Sequence, residues 1–395
     1  MRTAVASLIV ALGVAVLTGA GLLGAPSDTT PLTWQIDAVD TDGPGKYSSM
    51  KVDTVGNVHV VYVVDDGNRY PLKYAIWTAS AKRWFKMTIA QSVGACALTL
   101  DSKQRPHISY TDYGSMSGSK LRYAHWDGQM WRTEALRLNS DTIAYYNSIA
   151  LDLTDNPTLS FYEYRGALDT DFRIRLRTVM WDGQGWNVRT VDSEQGSGKF
   201  NAMVADSKGH LHIAYANVSA GTAGIRYAYW DNTSWHTQIL EGMQENNGNA
   251  VGYSAAIALD KDDNPHITYV DETTPRVKYA VRKNGRWQIQ MVDTVAHVGY
   301  PDHNSIAVDD EGHPYISYYD AGRGILKVAH LEGQRWLAET LDGNWSGFTS
   351  SIQIAGGMIW VSYADEGQGA FKVAHRPLRA PAGSSPQLQS SEPRK

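Results

Sequence analysis

Aromatic rings and carboxylates recur at matching places along this 395-residue chain, and together they suit the binding of a sugar. Tyr47, the pair Tyr145 and Tyr146, Phe200, Tyr253, Tyr300 with His303, and Trp345 with Phe348 each precede an apolar segment. Asp112, Glu163, Asn217, Asp271, Asp320 and Asp365 each follow another. Ring faces stack on the CH groups of a sugar, and acids and amides pair with its hydroxyls. Two stretches depart from the regular spacing. Residues 163–173 form a long connection that opens Glu163-Tyr164-Arg165, and residues 297–303 bring His297, Asp302 and His303 together. Ligand contacts are therefore expected from Tyr145, Tyr146, Glu163, Tyr164, Arg165, Tyr300, Asp302, His303 and Trp345.

These residues are positioned by a repeat. One unit reads Ser305-Ile306-Ala307-Val308-Asp309, then Pro314-Tyr315-Ile316-Ser317-Tyr318-Tyr319-Asp320, Ile325-Leu326-Lys327-Val328-Ala329-His330, and Arg335-Trp336-Leu337-Ala338-Glu339-Thr340. Each piece alternates apolar and polar residues, the period of a half-buried strand, and turn residues such as Glu311-Gly312 and Glu332-Gly333 separate them. The unit is four short antiparallel strands, A to D from the inside out. The Asp ending strand A recurs at 53, 101, 152, 206, 260 and 309, a spacing of about fifty residues, which is the size of a propeller blade. The strand-D Trp recurs at 84, 131, 186, 235, 287 and 336.

The seventh unit, beginning near Ser350, has strands A to C and then Pro377. Its missing strand D is found at the start of the chain, where Trp34-Gln35-Ile36-Asp37-Ala38-Val39-Asp40-Thr41 nearly repeats Trp287-Gln288-Ile289-Gln290-Met291-Val292-Asp293-Thr294. Ring closure by this strand leaves no exposed sheet edge between the first and last blades. The expected fold is all-β, a seven-bladed propeller over residues 32–376, with residues 1–25 a signal peptide or N-terminal anchor and residues 377–395 a disordered tail. Arg2 followed by an apolar run to Leu23 carries the first of these expectations, and with it a secreted or periplasmic location.

Composition narrows the function classes. The net charge is −5, so no basic field is available for nucleic acid. Cys96 is the sole cysteine, which excludes an intrachain disulfide and suits a buried, inert thiol. No Cys/His metal spacing is present, Asp260-Lys261-Asp262-Asp263-Asn264 reads as an A–B turn rather than a calcium loop, and neither a metal nor a cofactor is expected. A monomer is expected, with membrane association only if the N-terminal segment is retained. Repetition also carries a structural reading. Asp112 with Arg122, Asp271 with Lys278 and Asp320 with Lys327 suit a salt-bridge ladder, and His59, His107, His212 and His266 share one strand-B position and suit packing. Trp126 and Trp131, Trp181 and Trp186, and Trp230 and Trp235 face each other across C–D hairpins, as rim packing or as sugar platforms.

Units of the form Ser-Ile-Ala-Val-Asp-x-x-Gly-x-Pro resemble those of secreted bacterial propellers with sialidase-like or BNR-like repeats, although the Ser-x-Asp-x-Gly-x-x-Trp box of true sialidases is absent. The resemblance covers all seven units and implies the fold; such propellers host lectins, glycosidases, polysaccharide lyases and interaction modules. One residue set, His107, His125, Tyr162 and Arg177, is similar in type and order to that of propeller-fold ulvan lyases. The resemblance implies β-elimination, with a base removing the proton next to a uronate carboxylate, a cation steadying the developing charge, and Tyr protonating the leaving oxygen. The expected function is binding of a carbohydrate or cell-surface ligand on the loop face; the alternatives are a carbohydrate-active enzyme, lyase or glycoside hydrolase, and a protein-interaction scaffold.

Overall fold

The computed structural model describes residues 32–67, 69–91, 93–113, 120–138, 142–165, 173–219, 221–242, 251–295 and 304–378. They form seven four-stranded antiparallel sheets. Blade one is β2 (Gly45–Val52), β3 (Val58–Val64), β4 (Leu72–Thr78) and β5 (Arg83–Ala90). Blades two and three are β6 to β9 (Val93–Leu100, Pro106–Asp112, Lys120–Trp126, Trp131–Ala135) and β10 to β13 (Thr142–Leu151, Pro157–Arg165, Arg173–Trp181, Trp186–Asp192). Blade four is β14 to β17 (Ser197–Ala205, Leu211–Asn217, Gly224–Trp230, Trp235–Gly242), and blade five is β18 to β21 (Val251–Leu259, Pro265–Asp271, Arg276–Lys283, Arg286–Thr294). Blade six is β22 to β25 (Ser305–Val308, Pro314–Asp320, Ile325–Glu332, Arg335–Asp342). Blade seven is β26 (Ser346–Ala355), β27 (Met358–Asp365) and β28 (Ala370–Pro377), completed by β1 (Gln35–Asp40), which pairs Gln35 with His375 and Ala38 with Lys372. The N-terminal strand therefore closes the ring as the outer strand of the last blade. The segment expected to be a signal peptide lies outside the described residues; of the expected tail, Pro377 pairs with Met358 at the end of β28 and Leu378 donates to the Gly357 carbonyl, and residues 379–395 lie outside the described residues.

Burial follows strand position. Strand B is buried along its whole length in blades one, four, five and six, because a sheet lies on each of its faces. Strand D is mostly exposed, apolar side chains such as Phe85, Met87 and Ile239 included. The core is divided into seven clusters, each between two neighbouring blades; Met50, Tyr62, Trp360 and Phe371 join blade one to blade seven.

Polar groups repeat with equal regularity. The Asp ending strand A is the cap of the A–B turn: Oδ1 of Asp206 accepts from the backbone of Lys208 and His210, and Oδ1 of Asp260 from Asp262 and Asn264. In blade seven Ala355 cannot cap, and Gly356 and Gly357 at φ 58° and 71° make the turn instead. In four blade pairs the residue three past the strand-D Trp is an oxygen acceptor for the next blade's indole, whereas the indoles of Trp34 and Trp235 have no partner. Asp37 takes Trp84, Glu134 takes Trp186, Gln238 takes Trp287 and Gln290 takes Trp336, at 3.0–3.2 Å. In five of the seven blades the residue six past this Trp is an acid that holds the next blade's strand-B Tyr and strand-C base; Ala90 and Arg137 take the place after Trp84 and Trp131. Asp40 binds Tyr62 and Lys73, Asp192 binds Tyr215 and Arg226, Glu241 binds Tyr269 and Lys278, Asp293 binds Tyr318 and Lys327, and Asp342 binds Tyr363 and Lys372.

Of the expected ladder, Arg122–Asp112 at 2.5 Å and Lys278–Asp271 at 3.0 Å are present. Lys327 pairs with Asp293, six residues past Trp287, and Asp320 with Arg323. Cys96 is buried, its thiol donates to the Tyr47 carbonyl at 2.9 Å, and burial pushes its pKa up. The Trp126–Trp131, Trp181–Trp186 and Trp230–Trp235 pairs face each other with ring centroids 5.4–5.9 Å apart.

Candidate functional site

In each blade the A–B and C–D turns share one end, called lower here, and the B–C and D–A connections share the upper end. Strand A carries a bulge near its upper end in six blades, the matching stretch of blade six lying outside the described residues: the register slips between Lys46 and Ser49, Val93 and Cys96, Tyr145 and Ser148, Lys199 and Ala202, Tyr253 and Ala256, and Ser346 and Ser350. Inside these bulges Tyr47, Tyr146, Phe200 and Ser254 have φ of 47–54°. The left-handed region costs a non-Gly residue on the order of 1–3 kcal/mol, so the surroundings must hold it. Asn201 does so for Tyr146 and Phe200, its amide donating to the carbonyls of Tyr146 and Gly198 while its oxygen accepts from Ser160. Asn147 does the same with Ala95, Thr111 and Ser109.

A bulge re-aims side chains. Here it gathers rings from different blades round the upper mouth of the central channel. Tyr146 lies edge-on to Tyr162 (6.0 Å) and packs on Phe200 (4.8 Å), which packs on Tyr253 (5.1 Å). The Lys199 ammonium sits over both Phe200 and Tyr253, at 5.0 and 5.1 Å from the centroids. Tyr145 meets Tyr113 of blade two at 6.4 Å, and Tyr319 meets Phe348 at 4.6 Å. The channel beneath this collar, about 180 Å³, is lined by all seven blades.

On the blade-seven side the collar opens into a cavity of about 560 Å³ lined by Lys46, Tyr47, Trp345, Phe348 and Glu366. Trp345 is the ring presented outward, at 58% exposure. Its backbone is left-handed (φ 66°), as is that of Asn344 (φ 60°), and it is pinned on both sides: its N–H donates to Gly324 and its carbonyl accepts from Glu366. Gly367 must lack a side chain, since a Cβ there would lie 2.1 Å from the Asn344 carbonyl. Lys46 is 2.8 Å from Asp65 and 3.8 Å from Glu366, which leaves a mixed-charge rim.

The other expected ligand residues fall as follows. Tyr145, Tyr146 and Trp345 reach the upper face, with Tyr164 and Arg165 at the upper end of β11. Glu163 is buried and engaged by Arg175 and Arg177, so its charge is already met. Tyr300, Asp302 and His303 lie outside the described residues.

The four residues of the lyase-like set do not meet. His107 and His125 are at the lower end of blade two, stacked 5.6 Å apart in a cleft of about 350 Å³ with Arg105, Tyr123, Glu134, Trp181 and Trp186. Tyr162 and Arg177 are in the upper half of blade three; Tyr162 stands four residues beyond the position matching His107, roughly 13 Å along the strand. His59, His212 and His266 accept from the hydroxyls of Tyr74, Tyr227 and Tyr279 at 2.7 Å and point Nε2 at the turn-capping Asp, which assigns the tautomer. His107 keeps the Tyr partner, Tyr123, but its Nε2 is 3.5 Å from Asp101 and has no hydrogen bond. His125 has Nδ1 buried without a partner. Burial lowers the pKa of both rings, that of His107 to about 4, so both are neutral at pH 7.

Sequence reasoning missed the Trp+3 acceptors, the Trp+6 acids and the bulge asparagines. A fixed count from the strand-D Trp finds the first two in most blades; the bulges leave no such signal.

Among known proteins, no family model matches the chain, and no curated relative does. Solved structures share the fold. The polysaccharide lyase Uly1 is 10% identical with a TM-score of 0.54 over 83% of this chain and 89% of its own. AofleA from Arthrobotrys oligospora is 14% identical with a TM-score of 0.51 over 79% and 90%. A sialidase of Trypanosoma rangeli, solved with sialic acid, is 11% identical with a TM-score of 0.50 over 75% and 56%.

Proposed function

We propose that this chain is an exported carbohydrate-binding propeller with one asymmetric site on its upper face, between Trp345 and the aromatic collar. The observation that carries the reading is Trp345, an exposed indole locked in a strained backbone conformation above a 560 Å³ cavity. A ring immobilised before binding offers a stacking face at little entropic cost. Lys46 and Glu366 at its rim supply a donor and an acceptor for hydroxyls. The collar differs from blade to blade, which suits one site rather than seven. Export rests on Arg2 and the apolar run after it, and is tested by N-terminal sequencing of protein recovered outside the cytoplasm. A glycan array followed by titration calorimetry tests the site. Trp345→Ala should weaken the best ligand at least tenfold, about 1.4 kcal/mol, with unchanged melting; equal binding by the variant rejects the site, and no hit on the array rejects the reading.

The lower cleft favours a second reading, a lyase acting on uronate polysaccharide. His125 is neutral, half-buried and unpartnered at Nδ1, the state of a ring able to take a proton from carbon. The test is absorbance of unsaturated product. Loss with His125→Ala alone supports chemistry in the cleft, loss with Tyr162→Phe as well supports the four-residue set, and no product from any uronate polymer removes this reading.

A further inference from the structure

The central channel has a lower chamber that the carbohydrate site does not use. It encloses about 460 Å³ and is lined by strand A of all seven blades. Its wall is one-sided. Two residues before the A–B turns, blades three to six present Ala150, Val204, Ala258 and Ala307, whereas blades seven, one and two present Gln353, Lys51 and Thr99. These three blades are consecutive round the ring: Met50 donates to Ser351 of blade seven, and Leu98 of blade two donates to Ser49. At this level one arc thus holds an ammonium flanked by an amide and a hydroxyl, and the facing arc carries only aliphatic side chains.

We propose that this chamber binds a small alkyl carboxylate, its headgroup on Lys51 and its chain against the apolar arc. Lys51 lines the chamber with no acid paired to its ammonium among the described residues, unlike Lys73, Lys278, Lys327 and Lys372, each of which has a carboxylate partner. The two acids that reach the chamber are engaged elsewhere. Asp152 caps Thr154 and Asn156, and Asp155 binds Ser102. His59, across the strand pair from Lys51, is neutral at pH 7 because burial lowers its pKa. Burial likewise lowers the pKa of Lys51 with nothing opposing it, so an arriving carboxylate supplies the missing counter-charge. The volume is that of a small-molecule site.

Titration of the full chain with octanoate, followed by calorimetry, tests the proposal. One octanoate per chain is expected, with octylammonium not binding. Lys51→Met keeps the apolar stem and should weaken octanoate at least tenfold without lowering the melting temperature; Lys51→Arg should retain binding, and Ala258→Phe should abolish it by filling the chamber. Affinity should fall as pH rises towards the lowered lysine pKa. No binding at millimolar octanoate, or equal binding by Lys51→Met, overturns the assignment. Glycan binding by Lys51→Met should match that of the native chain.

Discussion

At the scale of single residues, most of the titratable groups are committed to holding blades together. Asp192 accepts from Ser197, Tyr215 and Arg226; its removal leaves the buried Tyr215 phenol without its acceptor, while Arg226 keeps Glu194 at 2.7 Å. Asp192→Ala should cost about 1–3 kcal/mol, measured by urea unfolding. Blade three shows the converse. The position six past Trp131 is Arg137, not an acid, and there the strand-B Tyr is replaced by Phe161 and the base Arg177 turns to Glu163. Phe161→Tyr should therefore destabilise by roughly 1–3 kcal/mol, since its hydroxyl would be buried without the acid that serves Tyr215. The strand-B histidines set the pH response. Burial holds their folded pKa below the unfolded value near 6.5, so the unfolded chain binds more protons in acid. Their stabilising contribution is complete above pH 6.5 and is lost as pH falls from there towards the folded pKa, about 4 for His107. That one ring accounts for roughly 3 kcal/mol over the window. Melting temperature followed from pH 7 to 4 should drop steeply, and His107→Gln should flatten the curve.

At the scale of elements, two devices matter: a borrowed strand and a bulged one. β1 supplies Asp37 and Asp40, so it contributes the Trp84 acceptor and the Tyr62–Lys73 acid as well as a sheet edge. Deletion of residues 32–40 should open blade seven, cause aggregation, and abolish cooperative thermal unfolding in calorimetry; a truncated chain with native melting would refute closure by this strand. The bulges in strand A serve the site instead. They hold Tyr146 and Phe200 in left-handed backbone and turn rings toward the channel mouth, at a conformational cost that the flanking asparagines and serines offset. Asn201→Ala should leave the blade folded but loosen the collar, seen as weaker glycan binding together with a melting loss of a few degrees.

At the scale of the whole molecule, the ring has a divided labour. The outer strands and blade interfaces repeat one pattern of Trp, Tyr and paired charge with few departures, and the channel is where the blades differ most. A single outward Trp345, a collar confined mainly to blades three to five, and Lys51 alone among seven equivalent positions each break the sevenfold pattern. Function in such a ring is read from the exceptions. A tryptophan-fluorescence titration with the array's best glycan should therefore saturate at one ligand per chain; seven per chain would return the site to the regular blade positions.

The fold was legible because repetition is a one-dimensional property. Equal spacing of Trp, Asp and Tyr fixes the number of blades, and the echo of Trp287-Gln288-Ile289 in Trp34-Gln35-Ile36 identifies the closing strand. Five of the inter-blade acids follow from counting six residues past the strand-D Trp. The site was legible only in part: aromatic residues before strand A were visible, and Trp345 among them. Which rings meet is decided by the bulges, which shift register by a residue or two with no consensus to mark them. Likewise only the tertiary structure separates His107 and His125 from Tyr162 and Arg177. Sequence order records the blade a residue belongs to, whereas its height along the channel depends on strand register, and residues of adjacent blades can stand at opposite ends of the ring.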